Sequence, residues 1–313
     1  MARYIFGRLI GLVFVLLAVT AIAFWLMHQV PGGPFDETNN RMPEATRNAI
    51  AKKYGLDKTV PEQYVRYIWA VAHGDLGIPF QSPNETVTSL IARAWPVTIK
   101  IGIPTIILAF SLGTTLGTIA ALKQNTWIDY FVTTVSTLGL TVPSFVIATW
   151  LILIFAIRLE WLPSGGWGEP QDYILPVIAY AAAPSALVAR YVRVSLLEAM
   201  HAEHVRTARS KGLAEQRVML WHVARNAMIP AVTVLLPIIP DILTGSIFIE
   251  TVFRIPGLGR FFVTSTMARD YPMILALVLL VAFIWGITYL ITDILYVFLD
   301  PRVRIGGQSL RGG

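Results

Sequence analysis

The sequence predicts an all-α membrane protein of six transmembrane helices, with a small helical extracytoplasmic segment between the first two. Three observations carry this. Of 313 residues, 55% are hydrophobic and only 14% charged, with a mean hydropathy of +0.61, too little charge to cover the surface of a soluble domain of this length. Six apolar windows, residues 9–28, 98–122, 131–157, 174–196, 229–252 and 273–298, reach the length of ~20 residues that a bilayer-crossing helix requires. Positive charge gathers in alternate flanks: Arg3 and Arg8 before the first window, Lys123 after the second, Arg206 to Arg225 between the fourth and fifth, and Arg302, Arg304 and Arg311 after the last. By the positive-inside rule both termini are cytoplasmic. The 253–272 loop, with Arg254, Arg260 and Arg269, runs against that pattern. The net charge of +6 and pI of about 9.6 are explained by orientation in the membrane and call for no nucleic-acid partner.

Each element follows in order. Residues 1–29 have the charge order of a signal peptide, but the apolar part exceeds a signal h-region and no A-x-A site follows, so they read as a retained first span. Residues 30–96 form the extracytoplasmic segment. Proline at its start and Gly55 after its end mark a helix over 43–54. A second helix over 61–73 carries Val65, Ile68, Trp69 and Ala72 at i, i+3, i+4, i+7. Residues 97–300 are the core of spans two to six, and 301–313 a cytoplasmic tail.

The loop at 197–228 is the most informative stretch. Residues 202–211 read as a short helix, Gly212 supplies a left-handed turn, and a second helix begins near Ala214 with Val218 and Trp221 extending one apolar stripe. The small Ala208 admits close approach by another surface. A loop that only fixed topology would need the charge but neither the punctuated hairpin nor the stripe. Something outside the membrane grips it.

The fifth span is interrupted by Pro237, Pro240, Asp241 and Gly245. Proline removes a backbone donor and clashes with the preceding turn, so this helix is expected to kink or unwind. Irregular backbone at membrane depth is tolerated only against protein or a water-filled cavity. Asp241, Pro240, Gly245 and Glu250 are therefore candidates to line a translocation path, Asp241 attracting an amino group or else pairing with a neighbouring helix. Pro256, Gly257 and Phe261 in the next loop suggest a re-entrant gate on the outer side. Arg190 and Arg193 read as orientation anchors or contacts to the hairpin.

The run from Glu203 to Leu213, followed by His222, Arg225-Asn226-Ala227 and Pro230, resembles the EAA motif of ABC-importer permeases, and more narrowly the B-type permease of oligopeptide and dipeptide importers. The resemblance extends through Pro31-Gly32-Gly33-Pro34, His73-Gly74-Asp75-Leu76-Gly77, Ala121-Leu122-Lys123-Gln124-Asn125-Thr126, Pro143-Ser144-Phe145, Trp161-Leu162-Pro163, Glu250-Thr251-Val252-Phe253, Pro256-Gly257-Leu258-Gly259 and Asp300-Pro301-Arg302. It implies the type I ABC-importer permease fold in a bacterial or archaeal cytoplasmic membrane. It also implies a non-catalytic subunit partnered by a second permease, two ATP-binding subunits that use ATP and magnesium, and an extracytoplasmic binding protein. Glu203, Arg206, Ala208, Arg209, Gly212 and Leu213 would then be ATPase-coupling positions. Peptide is the expected substrate; nickel, glutathione or another small solute is the alternative.

No G-x-x-x-x-G-K-[ST] phosphate loop occurs, so ATP hydrolysis falls to another chain. H-E-x-x-H and G-x-S-x-G are absent, five scattered histidines make no metal cluster, and zero cysteines exclude disulfides and thiolate sites. A self-sufficient channel or secondary transporter would show an internal repeat, and none is evident.

Overall fold

In the computed structural model, described for residues 2–29, 52, 55, 58–224, 227–228, 232–234 and 236–299, every regular element is helical. Four helical stretches are long and apolar enough to cross a membrane. They are α1 (Ala2–Gln29), α3 (Val87–Leu122), the 3-10 turn Pro170–Tyr173 running into α6 (Ile174–His201), and α12 (Tyr271–Leu299). The helix expected over 43–54 and the start of the fifth span lie outside the described residues.

The stretch expected to form the third span is not one straight helix. It is broken into α4 (Trp127–Thr141) and α5 (Ser144–Leu151), which continues as a π-helical turn over Ile152–Arg158, and the two parts meet at 107°. Pro143 causes the break. It lacks an N–H and forces Val142 out of the helical region, to φ −79° and ψ 124°. Pro184 has no such effect and stays inside α6. Intramembrane proline is tolerated where neighbouring helices reconcile the freed carbonyl.

The chain divides into two compact units. One takes in residues up to Thr98 and Pro256–Leu290. Within it the first turns of α3 bury Val87, Leu90, Ile91 and Ala94 against Leu258, Met273, Ala276 and Leu277. α3 begins eleven residues before the expected span because Thr86 supplies a cap, its Oγ1 accepting from the Ser89 N–H at 3.1 Å. α2 (Val60–Ala72) packs on α1. Its packed side differs from the expected stripe: Val65 and Trp69 are 66% and 69% exposed, while Gln63 is buried. Phe24 of α1 instead meets the rings of Tyr64 and Tyr67, and the Tyr64 hydroxyl donates to the Leu17 carbonyl at 2.8 Å. Polar aromatic groups that satisfy α1 carbonyls outcompete the aliphatic stripe for that contact.

The other unit contains Ile99–Ile255 and the end of α12. There α3 and α6 approach closely. A Cβ built on Gly113 would stand 2.6 Å from the Ser185 carbonyl oxygen, and one on Gly117 2.5 Å from that of Ala189. Four residues apart on one face, these glycines bring two backbones within reach, as small-xxx-small pairs do where no hydrophobic force acts between lipid-bathed helices. α4 is joined to α6 by Asp129 and Arg193, whose Nε and second guanidinium nitrogen donate to the two carboxylate oxygens at 2.6 and 2.8 Å. Asp129 is 2% exposed.

Candidate functional site

The hairpin forms as the sequence pattern requires. α7 (Glu203–Ser210) is followed by Lys211, then by Gly212 at φ +75°, and the chain resumes in the short α8 (Glu215–Arg217). Arg209 spans the turn: its guanidinium donates to both Glu215 carboxylate oxygens, at 2.6 and 3.1 Å. That hydrogen-bonded partner holds the Glu215 carboxyl below its usual range. Gly212 has open space where a Cβ would stand, so its φ, not crowding, is what demands glycine.

Two expectations about the hairpin need correction. The residues after α8 form a π-helical turn over Val218–Ala224, so Val218 and Val223, five apart, are the pair turned inward at 0% exposure. Ala214 and Trp221, which an α-helix would align with Val218, are exposed. The wider π turn shifts the repeat from i+4 to i+5. Ala208 does meet a close surface, but an internal one. It is 5% exposed in a cluster with Val205, Leu196, Val218 and Val223. The hairpin is thereby docked on the base of α6 as one packed body, leaving Glu203, Arg206 and Arg209 on its outer side and Leu213 half-buried against the cluster. Arg225, Asn226 and Pro230 lie outside the described residues.

Within the segment expected to form the fifth span, the described helix is interrupted at Gly245. α9 (Ile238–Thr244) ends at Gly245, φ +93°, and α10 (Ile247–Val252) restarts with Ser246 accepting from the Ile249 N–H at 3.3 Å. The four candidates here part company. Asp241 is exposed, with its main-chain carbonyl accepting from the Tyr180 hydroxyl of α6 at 3.0 Å. Pro240 is buried, Gly245 is half-buried, and Glu250 is buried at 4%. In the loop beyond, Gly257 is buried and Pro256 exposed. The chain then forms a further helix, α11 (Gly259–Met267), on which Phe261 is half-buried beside the Arg260 guanidinium.

Sequence reading passed over the polar side of α4. Thr133, Thr134, Thr137 and Thr141 are all exposed along one arc of it, while Ser136 is buried. A cavity of about 450 Å³ lies between α4 and α6, lined by Thr133, Ser136 and Thr137 beside Arg190 and Arg193 and otherwise by aliphatic side chains; Thr134 and Thr141 lie outside it. The signal was present as five serine and threonine hydroxyls in the fifteen residues of α4, but apolar length masks it.

Long apolar helices, one sharply bent helix pair and a packed polar hairpin describe a polytopic membrane protein. Residues 113–305 match the family described as binding-protein-dependent transport system inner membrane component, and residues 1–102 match the N-terminal region of such membrane components. The chain belongs to this family of ABC-importer permeases. It is 42% identical over 306 residues to the oligopeptide transport system permease protein OppB of Haemophilus influenzae, covering 97% of this chain and 100% of that one. It is 39% identical, at the same coverage, to OppB of Escherichia coli K12. The dipeptide transport system permease protein DppB of Bacillus subtilis is 36% identical, with 97% and 99% covered. Among solved structures, an inward-facing MetNI methionine ABC transporter shares the fold, with a TM-score of 0.57 at 15% identity, covering 68% of this chain and 97% of that one.

Proposed function

We propose that this chain is one of two permease subunits of an ATP-driven importer that moves peptides from an extracytoplasmic binding protein into the cytoplasm. The observation that carries the reading is likeness at 36–42% identity, over nearly the whole chain, to permeases named for oligopeptide and dipeptide transport. The membrane is the bacterial or archaeal cytoplasmic membrane, with both termini inside. Residues 30–96 form the outer segment, 97–300 the translocating core and 301–313 a tail.

In this reading the hairpin sits in a groove of an ATP-binding subunit. Glu203, Arg206 and Arg209 face that subunit, while Val205 and Ala208 fasten the hairpin to α6. Closure of the two ATPases then moves α6 as a rigid lever, since packed interfaces switch between discrete arrangements. Asp241, Pro240, Gly245 and Glu250 border the path at the broken span, and Pro256, Gly257 and Phe261 form the outer gate.

Affinity purification of the chain from its own membranes in mild detergent, with mass spectrometry of what is retained, tests this directly. Recovery of ATP-binding subunits, a second permease and a binding protein with peptide still bound is the expected result. A chain that purifies alone and transports without ATP would overturn it.

A further inference from the structure

We infer that the cavity between α4 and α6 is a subsite for the C-terminal carboxylate of the transported peptide, with Arg190 as its cation. This rests on the peptide reading above and adds a residue-level contact to it.

Three observations converge. The first is the character of α4. Its exposed surface is divided into two arcs: Phe131, Val135 and Leu138, 61%, 44% and 56% exposed, occupy one, and Thr133, Thr134, Thr137 and Thr141 the other. Aliphatic and aromatic side chains suit lipid. A file of hydroxyls at i, i+4, i+8 does not, and suits a hydrated passage.

The second is how those hydroxyls are used. Of those that line the cavity, Thr137 donates to the Thr133 carbonyl at 2.8 Å and Thr133 to the Asp129 carboxylate at 3.4 Å. With their protons spent on the helix, the oxygens offer only lone pairs outward. That is the complement of peptide N–H groups.

The third is the charge at the inner end. Among the described residues the ion pairs are Arg93–Glu85, Arg193–Asp129 and Arg209–Glu215. Arg193 is committed to both oxygens of Asp129, which neutralises it. Arg190, one turn away on α6 and exposed, takes part in none of these pairs and borders the cavity. A guanidinium at a cavity of about 450 Å³, whose aliphatic walls are interrupted by the hydroxyls of Thr133, Ser136 and Thr137, fits a carboxylate in two-point contact.

The spacing to Asp241 is consistent with this. Asp241 is held level with Tyr180, and Tyr180 and Arg190 share α6. At ~1.5 Å per residue they are about 15 Å apart along its axis. An extended peptide of roughly four or five residues spans that distance.

The test exploits a chain without cysteine. Arg190→Cys is prepared in the complete importer complex, reconstituted in vesicles with its binding protein, and uptake of radiolabelled trialanine is followed. Uptake is expected to fall about tenfold or more, as loss of a charge-assisted hydrogen bond implies. An aminoethyl methanethiosulfonate, which restores the cation, should rescue it, and the methyl reagent should not. Trialanine should also slow labelling of the introduced thiol, and trialanine amide should not.

Undiminished uptake in Arg190→Cys would overturn the inference, as would rescue by the methyl reagent, which would indicate a space-filling role. Protection of the thiol by phosphatidylglycerol in the vesicles but not by trialanine would also overturn it, placing a lipid headgroup in the cavity. A wild-type complex that takes up no peptide would instead sink the peptide reading itself.

Discussion

At the scale of single residues, the structure separates positions that carry load from positions that only look the part. Gly212 holds φ +75° with open space around it. Gly212→Ala therefore costs about 1 kcal/mol of backbone strain rather than a clash. The variant should assemble, yet hydrolyse more ATP per peptide imported, measured as the ratio of the two rates in vesicles. An unchanged ratio would remove Gly212 from the coupling path. Arg193→Gln should be more damaging, because it strands a carboxylate that is 2% exposed. A loss of about 3 kcal/mol is expected, seen as a lowered thermal transition in detergent, and Asp129→Asn in the same chain should recover much of it. Gly212 was legible from the sequence, since glycine between two helical patterns has few other meanings. The Asp129–Arg193 pair was not. Its members are 64 residues apart, and no local pattern ties one to the other.

At the scale of elements, apolar length was read well and helix continuity less well. The long helices follow from composition alone. The 107° break between α4 and α5 depends on Pro143, yet Pro96, Pro104 and Pro184 lie inside helices that continue. What decides is whether neighbouring helices can hold the freed carbonyl, which no single segment reveals. The π-helical turn at Val218–Ala224 is hidden in the same way, because its i+5 repeat leaves no mark in a pattern with a 3.6-residue period. The contact of α3 with α6 depends on Gly113 and Gly117, and here the prediction is steric. Gly117→Val would put carbon where the Ala189 carbonyl already stands, 2.5 Å from the first new atom. A destabilisation of about 1–3 kcal/mol or outright loss of folded protein is expected by size-exclusion and thermal assays. Gly11→Val, where nothing lies within 4 Å, should be tolerated.

At the scale of the whole molecule, family membership was legible because matched motifs recur in order along nearly the full chain, while the polar arc of α4 was not. α4 is polar on one exposed arc and apolar on the other, and hydropathy averaged over the helix cancels the two. Asp241 tests the path from its other end. Asp241→Asn should reduce uptake of peptides with a free amino terminus about tenfold and leave N-acetylated ones unaffected. Equal uptake of both would release Asp241 from that role. The clasp between α4 and α6 also bears on how the chain is made. Asp129 leaves the ribosome well before Arg193, and with 64 residues between them at ~5–20 residues per second the wait is about 3–13 s. During that interval the carboxylate has no guanidinium to meet. Its place in the first turn of α4, at the end of the span rather than its middle, lets it remain hydrated at the headgroups until the later span arrives. Insertion can thus proceed in stages, with the clasp closing once α6 has arrived.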